Sequence, residues 1–511
     1  MKLTKRIVSI LLALSLVLAL ATTAFAATVT VEQTGHTYKA YQILTGTQAE
    51  SEGALGDVAW GSGINAEAFL AALKADDATK TEFAAVTDAK SFAEELAEHA
   101  DKSDIANAVA RIAYANKTDV KVSVAAGSEN NLADGYYLIV DVTDVDDKHD
   151  AKNAALLQVT DDITIEVKTD KPTSEKKVDD EDDSVADDPE TDGVVEGEDA
   201  TNWQDSADYD VGDAVPFKLT ATLPNNVTSY NKYYLAFHDV QSAGLTFNAD
   251  SVKVYVDDKQ ITTGYTVNTA ATDGCTFEVV INDVRAVGAG NGSVITVEYT
   301  STLNNQAVMG EVGNPNTMHI EYSNNPNQVW DGEGKPDTGK TPDDKVIVFT
   351  YKVVVNKTDS EGEALEGAGF TLYKKNAAGE YVAVGAELTG DAMTTFTWER
   401  LDAGEYRLVE TTTPAGYNTI APIEFTITAE HQVESDDPRL TGLSGNVTSG
   451  EAEFTPALND GSLTTGVVNK AGTILPETGG IGTTLFYVIG GLLVAGAVVL
   501  LVTKKRMSTA A

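Results

Sequence analysis

The segment "YKVVVNKTDSEGEALEGAGFTLYKK", residues 351–375, alternates apolar and polar side chains, breaks at a polar stretch rich in glutamate and glycine, and alternates again. Successive side chains of a strand point to opposite faces, so Val353, Val355 and Lys357 share one face of the first strand. The pattern predicts two strands of a half-buried sheet. It also places Lys357 on the same face as Val353 and Val355, and a lysine that faces a core is costly unless its amine has a partner.

Two further segments bring polar side chains to the same core. In "YRLVETTTPAGY" (406–417) Glu410 is in phase with two apolar residues, and in "TTGVVNK" (464–470) Asn469 is in phase with a valine. Burial lowers the pKa of a lysine and raises that of a carboxyl. A neutral Lys357 amine can then attack the Asn469 carboxamide, with Glu410 polarising the carbonyl and carrying protons as ammonia leaves. The competing interpretation is a Lys–Glu ion pair beside an uninvolved asparagine.

The rest of the chain divides into blocks with different periodicity. Residues 27–168 begin and end with strand patterns and enclose Ala/Glu-rich helical segments, which predicts an α+β domain. Residues 172–330 and 347–470 contain short alternating strands at the spacing of β-sandwiches. Residues 331–346 are rich in Gly, Pro and Asp, and we predict a linker there. The predicted fold class is mainly β: an N-terminal α+β domain, two Ig-like β-sandwiches and a C-terminal transmembrane helix.

Both ends carry export signals. Residues 1–26 have a basic start, an apolar centre and a small-residue A-x-A end, which predicts a secretory signal peptide. Residues 484–503 carry no charge and are long enough to span a bilayer. The basic tail at 504–511 predicts a cytoplasmic end. We therefore expect an exported protein whose precursor is held in the membrane with its bulk outside.

Ahead of the predicted span stands Leu475-Pro476-Glu477-Thr478-Gly479. Proline keeps such a peptide out of helix, and glycine lets an active site approach the preceding carbonyl. This motif, followed by an apolar span and a basic tail, resembles the cell-wall sorting signal of Gram-positive surface proteins. The resemblance implies that a sortase cysteine attacks the Thr478 carbonyl and that an amine resolves the acyl-enzyme.

The three segments quoted from the last block resemble the Cna B-type domain of sortase-assembled pilins and collagen adhesins. In that family a lysine of the first strand is joined to an asparagine of the last strand, assisted by a glutamate. The resemblance implies an isopeptide bond between Lys357 and Asn469, with Glu410 as the assisting acid.

The middle block resembles the isopeptide-forming middle domain of pilin backbone subunits, through "PTSEKKVDD", "YDVGDAVPFKLTATLP", "FHDVQSAGLTFN" and "IEYSNNP". The resemblance implies Lys176 as the amine, Asp239 as the assisting acid and Asn324 as the acceptor. Asn324 is in phase with apolar residues of its strand. Lys177 and Asn325 are the nearest alternatives, because a register shift of one residue exchanges the two faces.

A further lysine would receive the Thr478 carbonyl in a polymer. In "ITIEVKTDKPTSEKK" (163–177), Lys168 directly follows a strand and precedes Pro172 by four residues. Pilin backbone subunits carry this lysine at the end of the first domain, typically within Val-x-Val-Tyr-Pro-Lys. The resemblance implies Lys168, with Lys171 as the alternative, although the Tyr-Pro of the family pattern is missing here.

Composition excludes several other classes of protein. The 36 basic and 78 acidic residues give a net charge of −42, which argues against binding to nucleic acid or an anionic surface. The single cysteine, Cys275, excludes an internal disulfide and is predicted to be a buried structural thiol. We find no calcium-loop motif, phosphate loop or metal-ligand spacing among the six histidines, so no cofactor and no metal are predicted.

These patterns predict a pilus backbone subunit that supports adhesion and is not a turnover enzyme. A pilin-specific sortase would join identical subunits and minor pilins, and a housekeeping sortase would attach the polymer to peptidoglycan. The main alternative is a monomeric wall-anchored adhesin, which needs no acceptor lysine. A secreted hydrolase is a third class, and it would need a cleft with catalytic carboxylates in the first block.

Overall fold

The computed structural model describes residues 27–32, 35–48, 55–99, 104–144, 150–152, 154–159, 162–165, 170–180, 203–472 and 481–507. The predicted signal peptide, Lys168 and the motif at 475–479 lie outside these residues. The described chain folds into an α+β domain, two β-sandwiches and a C-terminal helix, in that order.

In the first domain a central sheet is covered on both faces. Its elements are β1 (Ala27–Val31), β2 (Thr37–Gln48), β3 (Leu55–Trp60), α1 (Ala66–Ala75), α2 (Ala89–Ala97), α3 (Asp104–Ala115), β4 (Val122–Ala125), β5 (Glu129–Leu132), β6 (Gly135–Asp141), β7 (Ala154–Val159) and β8 (Ile163–Ile165). The central sheet has the order β3-β2-β6-β7, with β4 also on β2. The helices cover one face through Phe69 and Phe92, and the small sheet β5-β1-β8 covers the other through Val29.

The middle domain is a two-sheet sandwich. Its strands are β9 (Thr173–Asp179), β10 (Trp203–Gln204), β11 (Ser206–Asp208), β12 (Ala214–Thr222), β13 (Leu235–Gln241), β14 (Leu245–Val256), β15 (Lys259–Ile261), β16 (Thr266–Asn268), β17 (Phe277–Ile281), β18 (Val294–Leu303), β19 (Asn314–Ser323), β20 (Thr338–Lys340) and β21 (Asp344–Phe349). One sheet has the order β10-β9-β12-β18-β14-β15, and the facing sheet has β11-β21-β19-β13-β17-β16, with β20 also on β19. Strictly alternating burial along β12 and β18 builds the core between them.

The structure differs from the sequence prediction at the linker, residues 331–346. This stretch contains β20 and the start of β21, and both strands pair with β19. Strand β21 also pairs in parallel with β11. The turn-rich composition of 331–343 hides the short apolar strand that follows, so the middle sandwich extends to Phe349 and the next strand begins at Tyr351.

The last domain is a second sandwich. Its strands are β22 (Tyr351–Asp359), β23 (Gly369–Lys375), β24 (Tyr381–Ala383), β25 (Leu388–Thr389), β26 (Thr395–Leu401), β27 (Gly404–Thr412), β28 (Ile423–His431), β29 (Leu440–Ser449), β30 (Thr455–Ala457) and β31 (Ser462–Asn469). The sheets have the orders β26-β22-β31-β30 and β24-β23-β27-β28-β29, with β25 on β23. The first and last strands, β22 and β31, are parallel neighbours.

Polar contacts connect the successive domains. Arg111 of α3 donates from Nη1 to the Ser229 carbonyl of the middle domain at 2.9 Å. Between the two sandwiches, Ser206 Oγ lies 2.8 Å from His431 Nδ1. The domains therefore meet directly at both junctions.

Helix α4 covers Ile481–Met507, and its side chains are described for residues 486–501. Among the residues that the structure describes, no helix combines the length and the apolar character of a membrane span. The predicted transmembrane helix at 484–503 is therefore not supported by the structure.

Candidate functional sites

A lysine lies in the interior of the middle sandwich. Lys176 is on β9, where pairing with β12 sets it beside Leu219, and its side chain is fully buried. Asp239 is on β13 of the facing sheet and is also fully buried. Both positions follow from strand alternation, because Lys176 is in phase with buried Val178 and Asp239 with buried Phe237.

Four side chains form one hydrogen-bonded cluster in this core. Lys176 Nζ lies 2.5 Å from Asp239 Oδ2 and 3.0 Å from the Tyr299 hydroxyl. The hydroxyl donates to Asp239 Oδ2 at 2.8 Å. It also accepts a hydrogen bond from Asn316 Nδ2 at 2.8 Å. Lys176, Asp239 and Asn316 thus converge on Tyr299 in a site enclosed by both sheets.

The protonation of this cluster is set mainly by burial. Burial lowers the pKa of the Lys176 amine, although Asp239 opposes the shift. Burial also raises the pKa of the Asp239 carboxyl, and Lys176 and Tyr299 oppose it. Both directions favour a neutral amine beside a neutral carboxylic acid. Asp239 Oδ1 and Asn316 Oδ1 are buried without a hydrogen-bond partner, so a proton on Asp239 would supply a donor where none is present.

Asn324, the predicted acceptor, does not lie in this cluster. It follows the end of β19, where its Nδ2 donates to the Asp150 carbonyl at 3.3 Å and its own carbonyl accepts from Lys152 N at 2.7 Å. Eight residues separate it from Asn316, which corresponds to roughly 26 Å along an extended strand. The asparagine that shares the buried cluster with Lys176 is therefore Asn316.

The two alternatives weighed for the middle sandwich also lie elsewhere. Lys177 points to the other face of β9, where its Nζ lies 2.8 Å from Asp205 Oδ1. Asn325 donates to Asp337 Oδ2 at 2.9 Å on the surface. Neither residue contacts the buried cluster.

Sequence analysis missed Asn316 and Tyr299. Asn316 has the same parity as Asn324 along "NPNTMHIEYSN", so alternation cannot choose between them. The choice is made by the register of β13 on β19, which pairs Asp239 with Met318. Alternation does indicate that Tyr299 faces the core, but not that its hydroxyl reaches a lysine.

The last sandwich brings together all three of its predicted residues. Lys357 on β22, Asn469 on β31 and Glu410 on β27 are each less than 5% exposed. The parallel register sets Lys357 opposite Val467, so Asn469 is two positions further along the same face. Glu410 approaches from the facing sheet.

In this second cluster the acid contacts the amide. Asn469 Nδ2 donates to Glu410 Oε1 at 2.7 Å, and Asn469 Oδ1 is buried without a hydrogen-bond partner. Lys357 Nζ donates to main-chain carbonyls, at 2.7 Å to Thr358 and 3.3 Å to Val467. Burial lowers the pKa of Lys357, and Glu410 opposes the shift.

The other predicted residues can be placed only in part. Lys168 and the motif at 475–479 lie outside the described residues. Lys171 is described: its side chain is 41% exposed, and its Nζ lies 3.8 Å from Asp150 Oδ1. It is thus accessible at the junction of the first two domains.

Clusters of metal-ligating side chains occur although no metal-binding motif was found in the sequence. Within the described ranges there are three such groups: His238–Asp273–Cys275, Glu82–Glu95–His99 and Asp180–Asp208–His431. The first and third combine residues from separate strands and loops, which linear spacing does not reveal. Cys275 was predicted to be buried, but it is only partly buried.

Comparison with known families gives matches in three parts of the chain. Residues 211–326 match the Gram-positive pilin backbone subunit 2, Cna-B-like domain. Residues 351–438 match a prealbumin-like fold domain, and residues 467–508 match the LPXTG cell wall anchor motif. The first two matches lie within the two sandwiches.

The chain is also similar to a curated surface protein and to a solved pilin structure. The chain is 26% identical over 365 residues to the trypsin-resistant surface T6 protein of Streptococcus pyogenes serotype M6; the match covers 58% of this chain and 65% of that protein. The structure of the T6 backbone pilin of serotype M6 Streptococcus pyogenes superposes with a TM-score of 0.54 at 18% identity, covering 89% of this chain and all of that one. The predicted fold class of an N-terminal domain followed by β-sandwiches is confirmed.

Proposed function

We propose that the chain belongs to the Gram-positive backbone pilins, to which it is similar in three segments and in fold, and that it forms the covalent backbone of a surface pilus. In this proposal the chain is a structural, cell-wall-anchored protein and not an enzyme, which is supported by its matches to a pilin backbone domain and to a cell wall anchor motif. In the proposed polymer a pilin-specific sortase joins Thr478 of one subunit to Lys168 of the next, with Lys171 as the alternative. Minor pilins, and peptidoglycan through a housekeeping sortase, are the other proposed partners.

The proposal includes one internal isopeptide bond in each sandwich, Lys357 to Asn469 and Lys176 to Asn316. In both, the lysine Nζ attacks the asparagine Cγ, the Cγ–Nδ2 bond breaks, and ammonia leaves with the proton that Nζ gives up. The observation that carries the proposal is that each sandwich buries a lysine, an acid and an asparagine together. A simple ion pair would not account for an asparagine at both sites with a buried, unpartnered carbonyl oxygen.

The contacts in the middle sandwich suggest a route for the protons. Asp239 accepts from the Lys176 amine and from the Tyr299 hydroxyl, which in turn accepts from the Asn316 amide. The amine proton passes to Asp239, and Tyr299 relays a proton to the departing nitrogen. A proton on Asp239 also permits a hydrogen bond to the developing oxyanion at Asn316.

The intact mass of a soluble fragment, residues 27–474, tests both bonds. Each bond removes one ammonia, about 17 Da, so we expect a deficit of about 34 Da from the sequence mass. Asn316→Ala and Asn469→Ala should each abolish one ammonia of deficit, measured against the sequence mass of the variant. Asn324→Ala is the matched control and should keep both. A wild-type mass equal to the sequence mass would exclude the internal bonds.

Polymerisation needs its own test, because a monomeric wall-anchored adhesin would share the sorting signal and the sandwiches. Cells expressing the chain with its pilin-specific sortase should yield a ladder of covalent oligomers after wall digestion. Lys168→Ala should collapse the ladder to monomer, whereas Lys171→Ala should not. Collapse only in Lys171→Ala would move the acceptor, and a monomer in the wild type would favour the adhesin.

A further inference from the structure

A second cluster of reactive side chains lies on the outer face of the middle sandwich, away from the isopeptide site. His238 neighbours Asp239 on β13, so its side chain points away from the core, yet it is only 2% exposed. Its Nδ1 lies 2.9 Å from Asp273 Oδ2, 3.4 Å from Cys275 Sγ and 3.4 Å from Glu278 Oε1. The nitrogen, the sulfur and the Asp273 carboxylate lie within 4.8 Å of one another, and the Glu278 carboxylate is a further neighbour of the nitrogen.

The distances from His238 Nδ1 to its neighbours are close to those between the ligands of a small tetrahedral cation. Zinc binds nitrogen and oxygen at about 2.0–2.2 Å and thiolate sulfur at about 2.3 Å, so neighbouring ligands of a tetrahedral site lie roughly 3.3–3.8 Å apart. Two of the three distances from Nδ1 fall in this range, and the third is that of a hydrogen bond to Asp273. Glu278 keeps Oε1 for the site, because Asn268 Nδ2 donates to its Oε2 at 2.7 Å.

The opposite side of the histidine ring is arranged as in metal-binding histidines. Nε2 lies 3.3 Å from Glu321 Oε2, and that carboxylate is also paired with Lys335. The hydroxyl of Thr338 donates to the other oxygen of Glu321, Oε1, at 2.5 Å and so holds the carboxyl in place. A carboxylate beside Nε2 favours the tautomer that leaves the Nδ1 lone pair for a metal. The ring of His319 stacks on His238 at 4.9 Å and holds its orientation.

We propose that His238, Asp273, Cys275 and Glu278 form a binding site for a thiophilic divalent cation, with Zn²⁺ as the best fit. Imidazole and thiolate ligands select zinc over calcium or magnesium, which prefer all-oxygen sites. Binding replaces the hydrogen bond between His238 and Asp273 with two bonds to the metal, and it displaces the thiol proton of Cys275 to solvent. The cation would fasten the loop that carries Asp273 and Cys275 to the sheet.

Metal titration of the purified, tag-free full-length chain tests the site. After removal of metals with a chelator, we expect one equivalent of Zn²⁺ to bind. Co²⁺ should give thiolate-to-metal charge-transfer absorption together with the visible bands of tetrahedral cobalt. Cys275→Ser should abolish the charge-transfer band and weaken Zn²⁺ binding at least about tenfold.

Two further variants separate a metal site from a structural role of these residues. Glu321→Gln should weaken Zn²⁺ binding by about 10–100-fold but keep the charge-transfer band, because the thiolate ligand remains. His99→Gln is the matched control: it removes an imidazole from the Glu82–Glu95 cluster, which contains no sulfur, and should leave binding unchanged. The proposal is overturned if Zn²⁺ does not bind, or if Cys275→Ser binds it as tightly as the wild type.

Discussion

The middle and last sandwiches bury the same three residue types but give the acid a different partner. In the middle sandwich Asp239 contacts the amine of Lys176. In the last sandwich Glu410 contacts the amide of Asn469, and Lys357 donates only to main-chain carbonyls. In the proposed reaction the acid would therefore act on the lysine amine at one site and on the asparagine carboxamide at the other.

The strands that carry the clusters differ as well. Lys176 and Asn316 belong to facing sheets, whereas Lys357 and Asn469 belong to adjacent parallel strands of one sheet. One proposed bond therefore joins two layers, and the other joins neighbours within a layer. Similar condensation chemistry is compatible with both geometries, because each brings the lysine, the acid and the asparagine into one buried cluster.

Removal of the acid should give the largest difference in stability loss between the two sandwiches. Asp239→Ala should prevent the proposed bond and leave the buried Lys176 amine without the carboxyl that it contacts. The lost cross-link accounts for about 5 kcal/mol and the lost buried hydrogen bond for about 1–3 kcal/mol, so the middle sandwich should lose roughly 6–8 kcal/mol. Glu410→Ala should cost less, because Lys357 keeps its carbonyl partners. Hydrogen exchange followed by mass spectrometry reports each sandwich separately, and a larger loss in Glu410→Ala would contradict the comparison.

Removal of the acceptors should affect the two sandwiches nearly equally. Asn316→Ala opens the loop 176–316 and Asn469→Ala opens the loop 357–469. Loop-closure entropy depends only on the logarithm of length, so each variant should lose about 5 kcal/mol in its own sandwich. Denaturant unfolding monitored by hydrogen exchange measures both losses. Asn325→Ala is the control, and a loss confined to one of the two acceptor variants would show that only one bond forms.

A smaller loss of stability is expected from Tyr299→Phe, because the variant removes one hydroxyl and leaves Lys176, Asp239 and Asn316 in place. The cluster of the last sandwich, formed by Lys357, Glu410 and Asn469, has no tyrosine in this role, so only the middle sandwich should respond. The variant removes one member of the proposed proton route and should slow bond formation in the middle sandwich by on the order of 10²-fold. Its unfolding free energy should fall by about 1–3 kcal/mol. Time-resolved intact mass after cell-free synthesis measures the rate, with Tyr322→Phe, a buried tyrosine outside the cluster, as the control. An unchanged rate would remove Tyr299 from the route.

The smallest predicted difference is in pH dependence. In the last sandwich the reactive species is the neutral Lys357 amine, so the rate should rise with pH, by up to about tenfold per unit, until the lowered pKa of Lys357 is reached. In the middle sandwich the ion pair and the neutral pair of Lys176 and Asp239 contain the same number of protons. The rate there should be flat from mildly acidic to mildly basic pH. The same mass assay at several pH values gives both profiles, and parallel profiles would refute the distinction.

Much of this architecture is predictable from local pattern. Period-two alternation places Lys357, Glu410 and Asn469 toward a core, and the structure brings them together. It also identifies Lys176 and Asp239 as inward-facing. Strand alternation is set by a few neighbouring residues, so it can be predicted without knowing which strands pair.

The remaining features depend on contacts between distant segments. Asn316 and Asn324 have the same parity, and only the pairing of β13 with β19 shows which one meets Lys176. Strand β21 was assigned in part to a linker because its partner β19 precedes it by more than twenty residues. The His238 cluster combines a strand with a loop more than thirty residues away.

The position of Asn316 has a mechanical consequence for a filament. A pull along the chain enters the middle sandwich at β9 and leaves at β21. A bond from Lys176 to Asn316 would shield residues 177–315, but residues 317–349 lie beyond it, and these 33 residues can unravel to at most about 110–120 Å. The last sandwich has a much smaller reserve, because Asn469 ends its final strand and only residues 351–356 of its first strand precede Lys357. A pilus of these subunits would then lengthen by a fixed amount at each middle sandwich and stop at a covalent limit.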